Sequence, residues 1–575
     1  MNAARDPRED ARRAVAATPG NAIAWIVLAD AELDVGNVPA GEAAVQRALA
    51  LAPGHPEALA RLGRLQWMRG HHREAAVSLG QAARAAPRHP GIALWLGHVL
   101  EDVGDAEGAA DAYARAHALA PDAAPIAAHL LAWRRRLCDW RGLDALSAQV
   151  RGAVARGEAA VEPFAFLSED ADAAGQLRCA RLNAAKFERS VRPLPPRAMA
   201  GDGPLRLGFL SNGFGAHPTG LLTVAFLEAL RGEPGIEVHL FALNPGDGSA
   251  VRQRLEAAAT LHDLSALSHP TVATRIREAG IDILYDLRGW GGGGAPAALA
   301  MRPAPLQVNW LAYPGTSGAS WIDYVLADGF VLPPELEPGF SEAVALLPRC
   351  FQPSDTRRAP APPPSRATCG LPESGVVFCC FNNSYKTNPA SFDRAMAVLR
   401  GVPGSVLWLL SGPGRGDARL RDAAQAAGVD PSRLVFMAKQ PHAAYLARLQ
   451  LADLFLDSNP YNAHTTASDA LWAGCPVLTR PGRTFAARVA GSLNHHLGMD
   501  ELNAGDDAAF VALAIALGND PARLAGLRAR LAGLRAGSGL FDMPAFARDF
   551  AAMARTMAER HRAGQPPAPI RLHRA

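Results

Sequence analysis

The sequence lacks three features that would place it in common functional classes. No apolar run approaches the roughly 18–20 residues of a membrane span. No long basic block is present to bind nucleic acid, and the net charge is only +3. The seven cysteines are scattered and none forms a CxxC pair, so neither a zinc ribbon nor a disulfide framework is indicated. With a polar, charged start, 49% apolar and 20% charged residues, the 575-residue chain is predicted to be a cytoplasmic globular protein of two to four domains, without membrane or nucleic-acid partners.

The glycine motifs of common nucleotide sites are also missing. The GFG at 213–215 would need a third glycine at position 218 to match the dinucleotide fingerprint, and that position is Pro218. No Walker A sequence is present. The DAD at 170–172 resembles a metal-binding DxD motif, but it lies in a predicted helical segment far from any strand end. We therefore predict no NAD, no FAD and no essential metal ion.

The first part of the chain contains a 34-residue repeat. Four kinds of residue recur at that step: Pro19, Pro53, Pro87 and Pro121; Gly36, Gly70 and Gly104; Leu28, Leu62 and Leu96; and Ala48, Ala82 and Ala116. Glycine permits a left-handed helix cap, alanine lets a second helix pack closely, and proline stops the unit. The pattern resembles the tetratricopeptide repeat. We predict about three repeats over 1–123, then a helical adaptor and linker over 124–200.

A stack of such repeats leaves a concave groove that normally holds a peptide. The alternative is a structural spacer, and the residues of the repeats do not decide between the two.

Two sets of alternating apolar strands and helices follow the repeats. The first set contains LRLGFLS, IEVHLFAL, IDILYDL, LQVNWLAYPG and YVLADGFVL within 201–356, and the second contains VVFCCFNN, SVLWLLSG, RLVFMA, LFLD and PVLT within 376–562. This alternation predicts parallel sheets covered by helices on both faces. The predicted fold class is α + α/β: a helical solenoid and two doubly wound domains, with a Pro-rich linker over 357–375 and a disordered tail over 563–575.

The stretch over 454–474 carries the clearest sign of a ligand site. It reads as a buried strand, a turn and a helix that begins near His464, and a helix N-terminus at a strand's carboxyl end binds anions. The imidazole of His464 and the hydroxyls of Thr465 and Thr466 are expected to add further hydrogen-bond donors there. Lys386 follows another strand of the same predicted sheet, so the two together could hold a diphosphate. His217 follows the first strand of the other domain and is a candidate general base. The alternatives are a threonine helix cap, a surface lysine and a turn histidine.

Six further motifs follow the repeats: HPTG, RPAPLQVNWLAYPGTSG, FNNSYK, SVLWLLSGPG, NAHTTASDALWAGCPV and RTFAARVAGS. Together with the repeats they resemble the O-linked N-acetylglucosamine transferase family (glycosyltransferase family 41) in a bacterial form, over about 20–560. The resemblance implies a GT-B arrangement of the two domains. It also implies inverting, metal-independent transfer of N-acetylglucosamine from UDP-GlcNAc to serine or threonine hydroxyls of proteins.

The resemblance implies roles for particular residues as well. His217 resembles the histidine proposed as general base, and Lys386 the lysine that neutralises the departing diphosphate, with Asn383 beside it. The other donor-binding positions are His464, Thr465 and Thr466 for the phosphates, Asp469 for the ribose, Gln440, Tyr445 and Arg448 for the uracil, and Leu311 and Pro314 for the sugar. The implied partners are a UDP-sugar donor and a peptide or protein acceptor held along the repeat groove and the cleft.

Two positions depart from the animal members of the family. His442 stands where they have a lysine near the ribose, and Tyr445 where they have a histidine that stacks on uracil. An aromatic ring can still stack there. Related branches use other donors, so two alternatives stay open. One is the same fold with GDP-fucose, UDP-glucose or a non-protein acceptor, and the other is a catalytically inactive repeat scaffold.

Overall fold

The computed structural model describes residues 6–199, 201, 203–358 and 360–573. They form two compact units. The first unit is built on the chain up to Val150 together with Pro413–Arg415, and the second on Arg151–Gly412 and the chain from Gly416 onward.

The first unit is a stack of antiparallel helices. They are α1 (Pro7–Ala17), α2 (Ala22–Asp34), α3 (Val38–Leu51), α4 (Pro56–Met68), α5 (His72–Ala85), α6 (Pro90–Val103), α7 (Ala106–Leu119), α8 (Ala124–Arg136) and the start of α9 (Leu143–Arg156). Helices α2–α3, α4–α5 and α6–α7 form the three pairs that the 34-residue period predicts, which confirms the repeats.

The regular spacing of glycine and alanine in the repeats has a structural reason. Gly36, Gly70 and Gly104 adopt φ values of +78°, +78° and +86°, the left-handed conformation at which a side chain is strained. Ala48 and Ala82 are fully buried where paired helices meet. The unit continues through α8 to Val150, past the predicted boundary at 123, because the apolar face of α8 packs on α7 and covers the end of the stack.

The second unit contains two parallel sheets and their covering helices. Its strands are β1 (Leu205–Ser211), β2 (Ile236–Ala242), β3 (Thr260–Asp263), β4 (Ile283–Asp286), β5 (Leu306–Asn309), β6 (Tyr324–Asp328), β7 (Ala343–Leu347), β8 (Val377–Cys380), β9 (Val406–Leu410), β10 (Leu434–Met437), β11 (Leu454–Leu456), β12 (Val477–Leu478) and β13 (Ile570–Arg571). Its helices are α10 (Pro163–Phe166), α11 (Ala173–Ser190), α12 (Pro218–Leu230), α13 (Ala250–Ala258), α14 (His269–Glu278), α15 (Pro296–Ala300), α16 (Pro389–Gly401), α17 (Gly416–Ala426), α18 (His442–Leu449), α19 (Thr465–Ala473), α20 (Val489–Leu497), α21 (Asp507–Gly518), α22 (Pro521–Gly537) and α23 (Met543–Arg562).

Both sheets are doubly wound, as the alternation of strands and helices predicts. The strand order is β13-β7-β6-β5-β4-β1-β2-β3 in the first sheet and β10-β9-β8-β11-β12 in the second, with every neighbouring pair parallel. The central strands are apolar because helices cover both faces; Leu207 and Phe209 of β1 are fully buried. The strand order reverses beside β1 in the first sheet and beside β8 in the second.

The C-terminal part of the chain corrects two predictions. The segment 376–562 was predicted to be one domain, but α23 packs against α12 of the first sheet. Its Phe550 ring lies 4.8 Å from Phe226 and 4.9 Å from Trp310, centroid to centroid. The tail over 563–575 was predicted to be disordered, yet β13 pairs in parallel with β7 within the described residues up to 573. Its basic composition suggested disorder, whereas the free edge of β7 offers its backbone a hydrogen-bonding partner.

Two strands of the first sheet were not predicted from the sequence. Strand β3 is at the edge of the sheet and only half-buried, so its sequence TLHD carries no apolar run. Strand β7, AVALL, is apolar but too short to be told from a buried helical segment by periodicity.

No single helix among the described residues has both the length and the apolar character to cross a bilayer. One pair passes that test only when its members are taken together across a 101° bend, Asp507–Gly518 with Pro521–Arg535.

Candidate active site

The site lies at the carboxyl ends of the two sheets, where their strand orders reverse. In doubly wound sheets the loops that leave these strands diverge and open a crevice. The loops after β1, β4 and β5 and those after β8 and β11 surround one cavity of about 260 Å³. It is lined by Phe164, His217, Pro218, Thr219, Leu222, Arg288, Leu311, Ala312, Gln352, Asn382, Asn383, Tyr385, Lys386, Tyr461, His464, Thr465 and Thr466.

Lys386 brings a buried ammonium group into this cavity. A short 3₁₀ turn, Ser384–Lys386, follows β8 and leaves the lysine side chain only 9% exposed. Its Nζ donates to the Asn462 carbonyl at 2.7 Å and lies 3.7 Å from the centroid of the Tyr461 ring. Burial lowers the pKa of Lys386 to about 7, and the charge of Asp457 opposes this shift.

Asp457 shapes the turn between β11 and α19. Its carboxylate accepts from the backbone N–H groups of Ala463 at 2.7 Å and Ser458 at 2.8 Å, and from the Thr479 hydroxyl at 2.6 Å. Burial raises its pKa, and these hydrogen bonds oppose the shift. The turn is therefore held at both ends by one side chain, which fixes where α19 begins.

The N-terminus of α19 faces the cavity without a side-chain cap. His464 occupies the N-cap position and makes no capping hydrogen bond. The first amide groups of the helix are therefore available to an anion, with the helix dipole behind them. The Thr466 hydroxyl donates to Asn382 Oδ1 at 2.6 Å, which ties this terminus to the loop after β8.

The imidazole of His464 does not supply a further donor, contrary to the sequence-based expectation. Its Nε2 donates to the Ala486 carbonyl at 3.1 Å. Burial, followed by the charge of Lys386, holds its pKa well below the ordinary value, so the ring is neutral and has no second N–H. Its Nδ1 can therefore only accept a hydrogen bond.

His217 enters the cavity from the first domain as the N-cap of α12. Its Nδ1 accepts from the backbone N–H of Thr219 at 3.2 Å, so the proton of the neutral ring is on Nε2. The ring packs so closely on Gly213 that a Cβ there would lie 2.3 Å from Nδ1. Burial, with smaller contributions from Arg288 and Lys439, lowers the pKa of His217 to about 4.

The loop after β5 contributes a strained residue. Leu311 lines the cavity with φ of +84°, a value that costs a branched side chain energy and is concentrated at functional sites. Pro314, predicted with it, is buried in the same loop but is not among the residues that line the cavity.

Four predicted residues lie away from the cavity, on and beside α18: Gln440, Tyr445, Arg448 and Asp469. Arg358 and His442 both bond Oδ1 of Asp469, the latter at 3.2 Å, and its Oδ2 makes no hydrogen bond within the described chain. Gln440 Nε2 donates to the carbonyl of Ala438, two residues earlier in the chain, at 3.0 Å. Asp469 lies on α19 and the other three lie on α18 or just before it, so the group is apart from the cavity that holds Lys386.

Several cavity residues were not predicted as site residues. Arg288 adds a second cation, and its Nε donates to the Gly292 carbonyl at 2.7 Å. Gln352 is 97% buried, and its Nε2 has no partner among the described residues. Phe164 of the adaptor and Tyr385 both lie about 6.1 Å from Tyr461, ring to ring. The position of Arg288 at a strand end could have identified it as a site residue. Phe164 and Gln352 come from distant segments, and no sequence pattern indicates that they reach the cavity.

The charge of the cavity favours an anionic ligand. Among the described residues that line it there is no carboxylate, while Lys386 and Arg288 supply positive charge. Carboxylates are the usual protein ligands of Mg²⁺, so this lining fits direct binding of phosphate groups better than binding through a metal.

Comparison with known proteins decides the family. The family model described as Glycosyl transferase family 41 matches residues 182–360 and 362–550, and a tetratricopeptide repeat model matches 5–56 and 60–124. The chain belongs to glycosyltransferase family 41.

A solved structure is similar over most of the chain. A mutant of the Thermobaculum terrenum O-GlcNAc transferase superposes with a TM-score of 0.68 at 27% identity, over 94% of this chain and 98% of that one. The predicted helical repeats followed by a GT-B arrangement are thereby confirmed.

Curated sequence relatives are longer than this chain. A probable UDP-N-acetylglucosamine–peptide N-acetylglucosaminyltransferase SEC of Arabidopsis thaliana is 38% identical over 307 residues, 52% of this chain and 31% of that protein. A UDP-N-acetylglucosamine–peptide N-acetylglucosaminyltransferase of Caenorhabditis elegans is 29% identical over 476 residues, 63% of this chain and 41% of that protein. The chain thus spans about a third to two fifths of the length of these two relatives.

Proposed function

We propose that the protein transfers N-acetylglucosamine from UDP-GlcNAc to serine or threonine hydroxyls of peptides, with inversion and without a metal ion. The observation that carries the proposal is the single cavity in which Lys386, Arg288 and the uncapped start of α19 meet His217 of the other domain. Membership of family 41 and the names of its relatives support the donor and the acceptor class.

The proposed step is an in-line displacement at the anomeric carbon. The acceptor oxygen forms a bond to this carbon while the bond to the β-phosphate oxygen breaks. The electron pair leaves with UDP, and the proton of the acceptor hydroxyl passes to solvent water. The Lys386 ammonium and the free amide groups of α19 stabilise the growing charge on the diphosphate. Preorganised donors of this kind typically lower a barrier by about 3–4 kcal/mol each.

His217 is better suited to orient a ligand than to remove a proton. A group with a pKa of about 4 accepts a proton from a hydroxyl poorly near neutral pH. Its Nδ1 lone pair is already used by the Thr219 amide, which leaves an Nε2–H donor. We therefore assign His217 a positioning role through this N–H, and the general-base role implied by the resemblance stays a prediction.

The residues around α18 are assigned to the nucleoside. Arg358 and His442 hold Oδ1 of Asp469, so its Oδ2 is oriented and available to accept from ribose hydroxyls. Tyr445, Gln440 and Arg448 stand on the same helix or just before it and are assigned to the uracil. The helical repeats are assigned to the acceptor peptide, the usual ligand of such stacks.

A transfer assay with three donors tests the proposal. The purified chain is incubated with serine- and threonine-containing peptides and with UDP-GlcNAc, UDP-glucose or GDP-fucose, and the mass of the peptides is measured. We expect a HexNAc addition with UDP-GlcNAc alone, absent in Lys386→Met. Transfer of fucose or glucose instead would show that the donor is GDP-fucose or UDP-glucose and not UDP-GlcNAc. A chain that neither transfers nor hydrolyses any of the three donors would contradict an enzymatic function.

A further inference from the structure

The helical unit contains a cluster of histidine and glutamate that the catalytic proposal does not use. His98 and Glu101 are three residues apart on α6 and therefore share a face of that helix. His129 reaches the same point from α8. The three candidate ligand atoms, one from each residue, all lie within 4.8 Å of one another.

Hydrogen bonding to Tyr113 sets the tautomer of His98. The buried Tyr113 hydroxyl donates its one proton to Glu101 Oε1 at 2.6 Å. It also lies 2.8 Å from His98 Nδ1, so at this contact the imidazole must be the donor. The proton of His98 is therefore on Nδ1, and its Nε2 lone pair is free. Metal-binding histidines are characteristically held in this way by a partner of the other ring nitrogen.

Glu101 is oriented by the same network. Its Oε1 accepts from the Tyr113 hydroxyl and from the indole N–H of Trp133. Its Oε2 makes no hydrogen bond within the described part of the chain and is free for one further ligand. A carboxylate with one oxygen held by two donors offers the other oxygen in a defined direction.

His129 completes the cluster with a second imidazole. Its ring nitrogens make no hydrogen bond to any described residue, although the ring stacks on Tyr113 at 5.2 Å and meets His98 edge-on at 4.6 Å. A ring nitrogen of His129 is therefore free to bind a ligand.

We propose that His98 Nε2, Glu101 Oε2 and His129 form a zinc site in the repeat unit. Two imidazoles and one carboxylate are a set that Zn²⁺ binds with a fourth position left open. Tetrahedral zinc with bonds of about 2.0–2.2 Å places its ligand atoms about 3.4 Å apart. Rotation of the side chains must bring the ligand atoms of the three residues, which lie within 4.8 Å of one another, to this spacing. The bound ion would tie α6 of the third repeat to α8 beyond it.

Zinc titration of the full chain tests this site. The chain is stripped with a chelator, dialysed and titrated with Zn²⁺ by calorimetry, and with Co²⁺ as a spectroscopic substitute for zinc. We expect one saturable site per chain, visible d–d absorption of tetrahedral Co²⁺, and a melting temperature that rises with Zn²⁺.

Three variants make the test specific. His129→Gln removes a ligand that makes no hydrogen bond, so the fold should persist, and the affinity should fall by at least tenfold. Tyr113→Phe keeps the buried ring but removes the partner of His98, and we expect a loss of about 10–100-fold. His71→Gln changes the exposed histidine at the N-cap of α5, which makes no capping hydrogen bond, and serves as the matched control with unchanged affinity. Circular dichroism checks the helix content of each.

Two results would overturn the proposal. One is the absence of any saturable Zn²⁺ binding at micromolar concentration. The other is a site whose affinity and Co²⁺ spectrum are the same in His129→Gln as in the unaltered chain.

Discussion

Lys386 is one of only three lysines in the chain, beside Lys186 and Lys439, although arginines are abundant. Arginine stays charged in any protein environment, whereas burial can shift the pKa of a lysine. At Lys386 burial lowers the pKa to about 7, so the ammonium form is favoured when an anion arrives and is costly when none is bound. A buried lysine in an arginine-rich protein is thus the residue-scale sign of the diphosphate site.

Replacing Lys386 should separate function from stability. In Lys386→Met we expect turnover to fall at least 100-fold, because the leaving diphosphate loses its cation. We expect the free energy of unfolding to rise by about 1–3 kcal/mol, because a buried ammonium is replaced by an apolar group of similar size. Initial rates and thermal melts measure both. The control is Lys186→Met, at a half-exposed lysine of α11. A Lys386→Met chain that is less stable than the unaltered chain would contradict the claim that burial of the Lys386 ammonium group costs stability.

The low pKa of Lys386 predicts how donor affinity changes with pH. The group is about 90% charged at pH 6 and about 10% charged at pH 8 if its pKa is about 7. The diphosphate of UDP-GlcNAc does not titrate in this range, and His217 is neutral throughout it. The affinity for UDP-GlcNAc should therefore fall about tenfold between pH 6 and pH 8. Calorimetry at both values measures it, and Lys386→Met should show a flat profile; a similar slope in that variant would assign the effect to another group.

At the scale of single elements, the turn before α19 depends on Asp457. In Asp457→Ala three donors, on Ser458, Ala463 and Thr479, lose their acceptor in a buried site. We expect a loss of about 3–4 kcal/mol in stability and a clear loss of UDP affinity, since the helix start is no longer fixed. Denaturant unfolding and calorimetry measure these. Asp170→Ala, at an exposed carboxylate, should change stability by less than about 0.5 kcal/mol. An equal effect of the two substitutions would contradict the account.

How much of the site was predictable depends on the element that carries each residue. His217, Lys386 and the start of α19 follow strands, and the ends of parallel strands meet at one edge of a sheet, so sequence patterns locate them. Whether an imidazole donates or accepts depends on contacts made after folding. His464 bonds to Ala486, 22 residues further along the chain, and so the expected donor was wrong.

At the scale of the whole molecule, α23 joins the C-terminal end of the chain to the first sheet. Phe550 is fully buried and lies 4.8 Å from both Phe226 and Tyr285, centroid to centroid. Phe550→Ala should cost about 3–5 kcal/mol and lower the melting temperature by about 5–10 °C. Differential scanning calorimetry measures the shift. Arg548→Ala, on the exposed face of the same helix, should leave the melting temperature within about 2 °C; an equal shift there would show that α23 is not anchored by its aromatic face.

The larger architecture was predictable where a period or an alternation repeats along the chain. The 34-residue step and the run of strands and helices specified the repeats and both sheets. Chain segments that return to a distant partner leave no such pattern. The return of α23 and β13 to the first sheet was missed because the pairing of Ile570 with Ala345 depends on which sheet edge is free after folding.

The most direct test of the central claim is calorimetric titration of the full chain with UDP. The account predicts one UDP bound per chain, with affinity at least tenfold weaker in Lys386→Met and unchanged in Lys186→Met. An unaltered chain that binds no UDP at millimolar concentration, or a Lys386→Met chain that binds it as tightly, would contradict a diphosphate site at the carboxyl ends of the second sheet.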